Sequence, residues 1–107
     1  KPIYDKESLF FKSSKISESD KYKTLSSYVE HAVFILTEID ERSFLKENIK
    51  EKLWSYAEEI GRGDILWPMR YALSGLDKSP DPFTLAEILG KSETISRLNT
   101  AIELLIK

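Results

Sequence analysis

The stretch DKYKTLSSYVEHAVFILTEIDERSFLKENIKEKLWSYAEEIG, residues 20–61, carries two helical stripes in succession. Tyr22, Leu25, Val29, Ala32, Val33 and Leu36 recur at spacings of three and four, the period of one helix face turned to a core. Asp20 or Ser19 is placed to cap its start. A second helix is predicted over residues 42–60, with Leu45, Ile49, Leu53, Trp54, Ala57 and Ile60 as its stripe. Ser43 or Asp40 is its expected cap, and Gly61 suits the residue that ends it.

The pattern continues outward on both sides. After the break at Gly61-Arg62-Gly63, Asp64 is expected to cap a third helix ending at Gly75, with Pro68 near its first turn. Residues 77–82 form a loop of Asp, Lys, Ser and two prolines. Asp81-Pro82 then combines a capping carboxylate with a proline whose φ is already set. The short helix it opens stops at Gly90. Ser92 is expected to open the last helix, with Ile95, Leu98, Ile102 and Leu105 buried. Upstream, residues 1–19 read as a lead-in with a short helix near 6–12. No convincing strand alternation appears, so the fold class is all-α, a compact bundle or cage of about five to six helices. The 107 residues form one predicted domain: a lead-in (1–19), two long helices (20–61) and a helical C-terminal part (62–107).

Composition narrows the chemistry. Hydrophobic residues make up 41% and charged residues 32%, the balance of a soluble globular chain. No apolar run approaches the roughly 20 residues of a membrane span. The chain opens on Lys1-Pro2-Ile3-Tyr4-Asp5, without an apolar leader or an initiator Met, and reads as a piece of a longer cytoplasmic protein. It contains no cysteine and one histidine, so disulfides, cysteine-bound zinc and a histidine metal cluster are excluded. His31 reads as a partly exposed structural residue. Glu58 and Glu59 are adjacent on a helix and so point about 100° apart. They read as a solvated face, not an acid–base pair. The net charge is −2, and residues 60–107 hold six Lys/Arg against six Asp/Glu. RNA affinity rests largely on phosphate contacts, so any RNA binding must depend on a few placed cations. By composition alone, a helical protein-interaction module is an open alternative.

The most informative block is LWPMRYALSGLDKSPDPFTLAEILG, residues 66–90, followed by KSETISRL, residues 91–98. Trp67-Pro68-Met69-Arg70, Ala72-Leu73-Ser74-Gly75, Ser79-Pro80 and Leu89-Gly90-Lys91 come in an order and at spacings that resemble the C-terminal anticodon-binding region of bacterial glutamyl-tRNA synthetases. The lead-in YDKESLFFK, residues 4–12, is also similar to the family's approach to this domain. Asp81-Pro82 and Thr84 depart from the family pattern, where the loop is more permissive and an acidic residue is common. Lys12-Ser13-Ser14-Lys15 superficially resembles the KMSKS signature of class I synthetases. That loop belongs beside a nucleotide-binding sheet, which this sequence does not predict, so the tract is given no catalytic role.

The resemblance implies an α-helix cage that grips the anticodon loop of tRNA-Glu and reads its first two bases. The third is read by a preceding helical domain. Arg70 matches the family's anticodon-contacting arginine. Ser79, Pro80 and Pro82 match the loop that meets the anticodon. Lys78 and Lys91 are expected phosphate contacts by charge alone. Trp67, Leu73, Phe83, Leu89 and Leu98 are read as core. No catalytic residue, metal or cofactor is expected in this piece. The resemblance places ATP, Mg and glutamate activation in a separate catalytic domain, with the whole working as a monomer.

Overall fold

The computed structural model describes residues 4–12, 14 and 16–107. Ser13 and Lys15 of the Ser/Lys tract lie outside the described residues, as do residues 1–3. The elements are α1 (Lys21–Thr37), α2 (Lys46–Ile60), α3 (Arg62–Ser74), α4 (Pro82–Leu89) and α5 (Lys91–Ile106), with 3-10 turns at Lys6–Leu9, Glu18–Asp20 and Glu41–Ser43. No strand occurs among the described residues, and the expected all-α class holds. Among them, no helix is long and apolar enough to cross a membrane.

The α1 stripe seats Leu25, Val29, Ala32 and Leu36 in the core, where α1 runs along α5. On α5 the inward face carries Leu98, Ala101 and Leu105, with Thr94 also buried. The Thr94 hydroxyl donates to the Ala86 carbonyl at 3.2 Å, which offsets the cost of burying it. Ile95, expected in the stripe, is half-buried. Helix α3 sits at the centre and touches all four other helices and the Lys6–Leu9 turn. Its Ile65, Met69, Ala72 and Leu73 are buried.

Helix starts differ from the sequence reading, each for a local reason. The lead-in helix shortens to the Lys6–Leu9 turn, capped by Asp5, which accepts from the Ser8 amide at 3.0 Å. Asp20 stands at the N-cap of α1 but makes no side-chain cap bond. Its φ of −119° and ψ of 17° lack the extended backbone that aims a capping side chain back along the helix. The expected helix over 42–60 is broken at Phe44 (φ −81°, ψ 64°), which leaves the helical path and buries its ring. Leu45 becomes the N-cap residue of α2 and is 47% exposed, not part of the stripe. Neither Ser43 nor Asp40 caps that helix. The Glu87 carboxylate of α4 does, accepting from the Lys46 amide at 2.9 Å.

Between α2 and α3 there is no linker. Gly61 closes one helix and opens the next at a φ of +129°, a region that L side chains rarely enter. Helix α3 therefore starts two residues before the expected cap, and Asp64 lies inside its first turn. Pro68 falls in the helix interior and is buried. It has no N–H, so the Asp64 carbonyl lacks its α-helical donor. The stops at Gly61, Gly75 and Gly90 agree with the sequence reading. Asp81 caps α4 as expected, accepting from the Thr84 amide and hydroxyl, each at 2.9 Å. Gly90, not Ser92, opens α5.

Candidate nucleic-acid interface

One face of α3 carries Arg62, Gly63, Leu66, Trp67 and Arg70, positions a turn apart. With Phe11 from the lead-in and Asp81 and Pro82 from the start of α4, they line an open groove of about 300 Å³. The lead-in is fastened to this face by aromatic contacts. The Trp67 indole N–H donates to the Ser8 carbonyl at 2.9 Å. Tyr4 meets Tyr71 edge-on at 5.8 Å between ring centres, and Phe11 lies 6.2 Å from Trp67. Burial pushes the Tyr4 hydroxyl above its ordinary pKa, with the Arg97 charge working the other way. Gly63 makes the close approach of Phe11 possible, because a Cβ there would come within 2.5 Å of the ring.

Arg70 is held at two points. Its guanidinium carbon lies 5.0 Å from the Trp67 ring centre, and one Nη donates to the Asp77 carbonyl at 2.9 Å. The ion pair with Asp64 or Asp77 that a purely structural arginine would make is not formed among the described residues; a backbone carbonyl takes its place. That bond engages only one of the guanidinium's several N–H groups. It also ties the loop over residues 75–81 to α3. Ser74 helps from the helix end, its hydroxyl donating to the Arg70 carbonyl at 2.9 Å and accepting from the Leu76 amide at 3.0 Å. On the far side, an Arg97 Nη donates to the Leu73 carbonyl at 2.6 Å.

The other sequence-derived site residues distribute as follows. Pro82 shares the groove with Arg70 but is buried at the first position of α4. Ser79 and Pro80 sit in the loop between Asp77 and Asp81, outside the groove wall, with the Ser79 hydroxyl donating to the Pro80 carbonyl at 3.1 Å. Lys78 is exposed on the same loop. Lys91 is engaged elsewhere, its ammonium donating to the Thr37 carbonyl at 2.9 Å, where the end of α1 leaves carbonyls without helical donors. Of the residues expected in the core, Leu73, Phe83 and Leu98 are buried. Leu89 is half-buried, and Trp67 is a groove wall.

A second hollow, of about 390 Å³, adjoins the first through Asp81 and is lined by Lys46, Glu47, Lys50, Trp54 and Phe83. The Lys50 ammonium lies 5.1 Å and the Arg62 guanidinium carbon 5.6 Å from the Trp54 ring centre. Periodicity assigns Trp54 to the α2 stripe and Gly61-Arg62-Gly63 to a break, which hides this feature. The signal was available in the four-residue spacing of Lys46, Lys50 and Trp54, which places them on one helix face. At the junction, burial pushes the Asp81 carboxyl up, but bonds from Thr84 and the Phe83 amide outweigh it and hold the group below its ordinary pKa.

The residues weighed for catalysis in the sequence lie apart from the groove. His31 is exposed, its ring centre 4.3 Å from that of Tyr56, and Glu58 and Glu59 are exposed on α2. Among the described residues, no group of three or more His, Cys, Asp or Glu is placed to hold a metal. The groove and hollow instead join cations to half-open aromatic rings, the combination that suits single-stranded nucleic acid.

Comparison with known proteins agrees in kind. The family model described as "Anticodon binding domain" matches residues 3–102. A glutamate–tRNA ligase of Clostridium botulinum (strain Eklund 17B / Type B) is 46% identical over 80 residues, covering 72% of this chain and 16% of that protein. One of Flavobacterium johnsoniae is 36% identical over 93 residues, covering 85% of this chain and 18% of that protein. One of Clostridium acetobutylicum is 41% identical over 64 residues, covering 57% of this chain and 13% of that protein. The chain thus spans less than a fifth of these relatives' lengths. No solved structure gives a significant match.

Proposed function

This chain belongs to the anticodon binding domain family, and on that footing we propose that it grips the anticodon loop of tRNA-Glu in the groove lined by Arg70, Trp67 and Phe11. The observation that carries the reading is the setting of Arg70. Its guanidinium is fixed over Trp67 and to the Asp77 carbonyl at the wall of an open, aromatic groove. Unpaired loop bases can be splayed out, stacked on aromatic rings and read on their edges. A planar guanidinium suits that task, since it both stacks and offers parallel donors. Because Arg70 and the loop over residues 75–81 are tied together before RNA arrives, little ordering entropy remains to be lost. In this reading Ser79 and Pro80 present the loop to the anticodon, and buried Pro82 sets where α4 begins. Lys78 supplies charge at the same loop.

The parent protein is then a cytoplasmic, monomeric glutamate–tRNA ligase. This domain positions the tRNA for ATP- and Mg-dependent glutamylation in a catalytic domain beyond the chain, and performs no chemistry itself. The test is an NMR titration of the labelled chain with a tRNA-Glu anticodon stem–loop and with one whose anticodon is scrambled. Shifts around Arg70 and residues 79–82 that vanish with the scrambled loop are expected. Identical diffuse shifts with both RNAs, or none, would overturn the reading in favour of a helical protein-interaction module.

A further inference from the structure

Lys46, Lys50 and Trp54 follow one another at four-residue intervals along α2, and Arg62 joins them from the start of α3. Lys50 and Arg62 approach the same ring, at 5.1 and 5.6 Å from its centre. Glu47, Glu51 and Glu58 lie on the same helix. Yet among the described residues none of these three cations is in an ion pair. Lys50 and Arg62 are held by the aromatic face, in an attraction that orders a cation without neutralising it. All three are exposed, so their charge is accessible to a ligand. Arg62 also lines the groove of Arg70, and Asp81 lines both hollows. The three cations therefore adjoin the groove through Arg62, with the Asp81 and Glu47 carboxylates between and beside them.

We propose that Lys46, Lys50 and Arg62, with the latter two ordered on Trp54, form a phosphate clamp for the RNA backbone as it leaves the groove beside the anticodon. This rests on the groove being the anticodon site. The clamp adds affinity without reading sequence, since phosphate contacts position a strand and base contacts specify it. It also accounts for how a chain of net charge −2 holds a polyanion: the cations are gathered where the strand runs. Trp54 serves as a positioning residue, because it pre-orders two cations that would otherwise lose side-chain freedom on binding.

The test measures affinity for a tRNA-Glu transcript and an anticodon-scrambled transcript across a salt series. Proteins compared are the unmodified chain, the Lys46→Ala/Lys50→Ala double variant, Trp54→Leu and Arg70→Ala. The double variant is expected to weaken both transcripts by the same factor and to lower the salt slope by about two, roughly one for each phosphate no longer neutralised. Trp54→Leu keeps every charge, so it is expected to weaken both transcripts with a smaller change in slope. Arg70→Ala is expected to erase the preference for the cognate transcript. Should the double variant match the unmodified chain while Arg70→Ala still erases that preference, the clamp is refuted and the anticodon reading stands. An unmodified chain that binds neither transcript, or both alike, overturns the anticodon reading and the clamp with it. Both lysines are exposed, and an unchanged far-ultraviolet spectrum and melting temperature establish that the double variant folds.

Discussion

The ring of Phe11 rests directly on the backbone of Gly63, so closely that a Cβ at that position would come within 2.5 Å of it. A residue of the lead-in is thereby brought to the wall of a groove built by α3 and α4. Gly63→Ala separates stability from binding. Alanine is the better helix former by about 1 kcal/mol, and the Phe11 ring lies at the surface, where it can swing away. Thermal unfolding is therefore expected to show a melting temperature near that of the unmodified chain. Anticodon stem–loop binding is expected to weaken by about 1–3 kcal/mol, the scale of one base stacked on an aromatic ring. Unchanged affinity would remove Phe11 from the interface.

On the proposed reading, Arg70 joins anticodon recognition to loop position in one side chain, since it lies over Trp67 and holds the Asp77 carbonyl. Arg70→Ala is expected to cost about 1–3 kcal/mol in anticodon binding, with the scrambled loop affected much less. Arg70→Lys is expected to recover little of that affinity, because an ammonium cannot stack flat on Trp67 while donating to Asp77. Titration calorimetry on both variants decides the point. A lysine variant with full affinity would mean that only the charge matters.

Glu87 couples α4 to α2 by accepting from the Lys46 amide at 2.9 Å. Glu87→Ala leaves that first amide without its carboxylate cap, at a cost of about 1 kcal/mol. The expected result is a melting temperature lower by about 4–8 °C. Hydrogen exchange should quicken at the first turn of α2, while the amides of α5 keep their protection. Equal protection at Lys46 in both proteins would show that water replaces the carboxylate at no cost.

Asp81 supplies the pH dependence at the groove. Burial raises its pKa, but bonds from Thr84 and Phe83 together lower it by more, so the net value lies below the ordinary 3.8. A carboxylate whose folded pKa is depressed stabilises the fold fully above its unfolded pKa and loses that contribution as pH falls through the folded value. The stability difference between the unmodified chain and Asp81→Asn is thus expected to be constant near neutral pH and to shrink below about pH 4. Denaturant unfolding at a series of pH values measures it. A difference that grows on acidification would contradict the cap.

Much of this architecture is written locally. The stripe of α1, the stops at Gly61, Gly75 and Gly90 and the Asp81-Pro82 start are short-range features. Each is set by helix period or by backbone conformations that one residue type tolerates, and each is legible in the sequence. The family resemblance over residues 66–91 points to Arg70, Ser79, Pro80 and Pro82; the fold brings Arg70 and Pro82 to one groove and leaves Ser79 and Pro80 on the loop beside it. Helix starts were less legible, because their partners lie far along the chain. Phe44 leaves the helix for a core built by other elements, and the α2 cap comes from Glu87, 41 residues away. The joining of aromatic rings to cations at the candidate interface depends on tertiary structure, beyond the four-residue spacing of Lys46, Lys50 and Trp54. Trp67 reads as core until the lead-in crosses it, and Trp54 reads as stripe until Arg62 arrives over its ring. Periodicity says which face of a helix is apolar, whereas only packing decides whether an aromatic ring on that face is covered by the core or left half-open beside a cation.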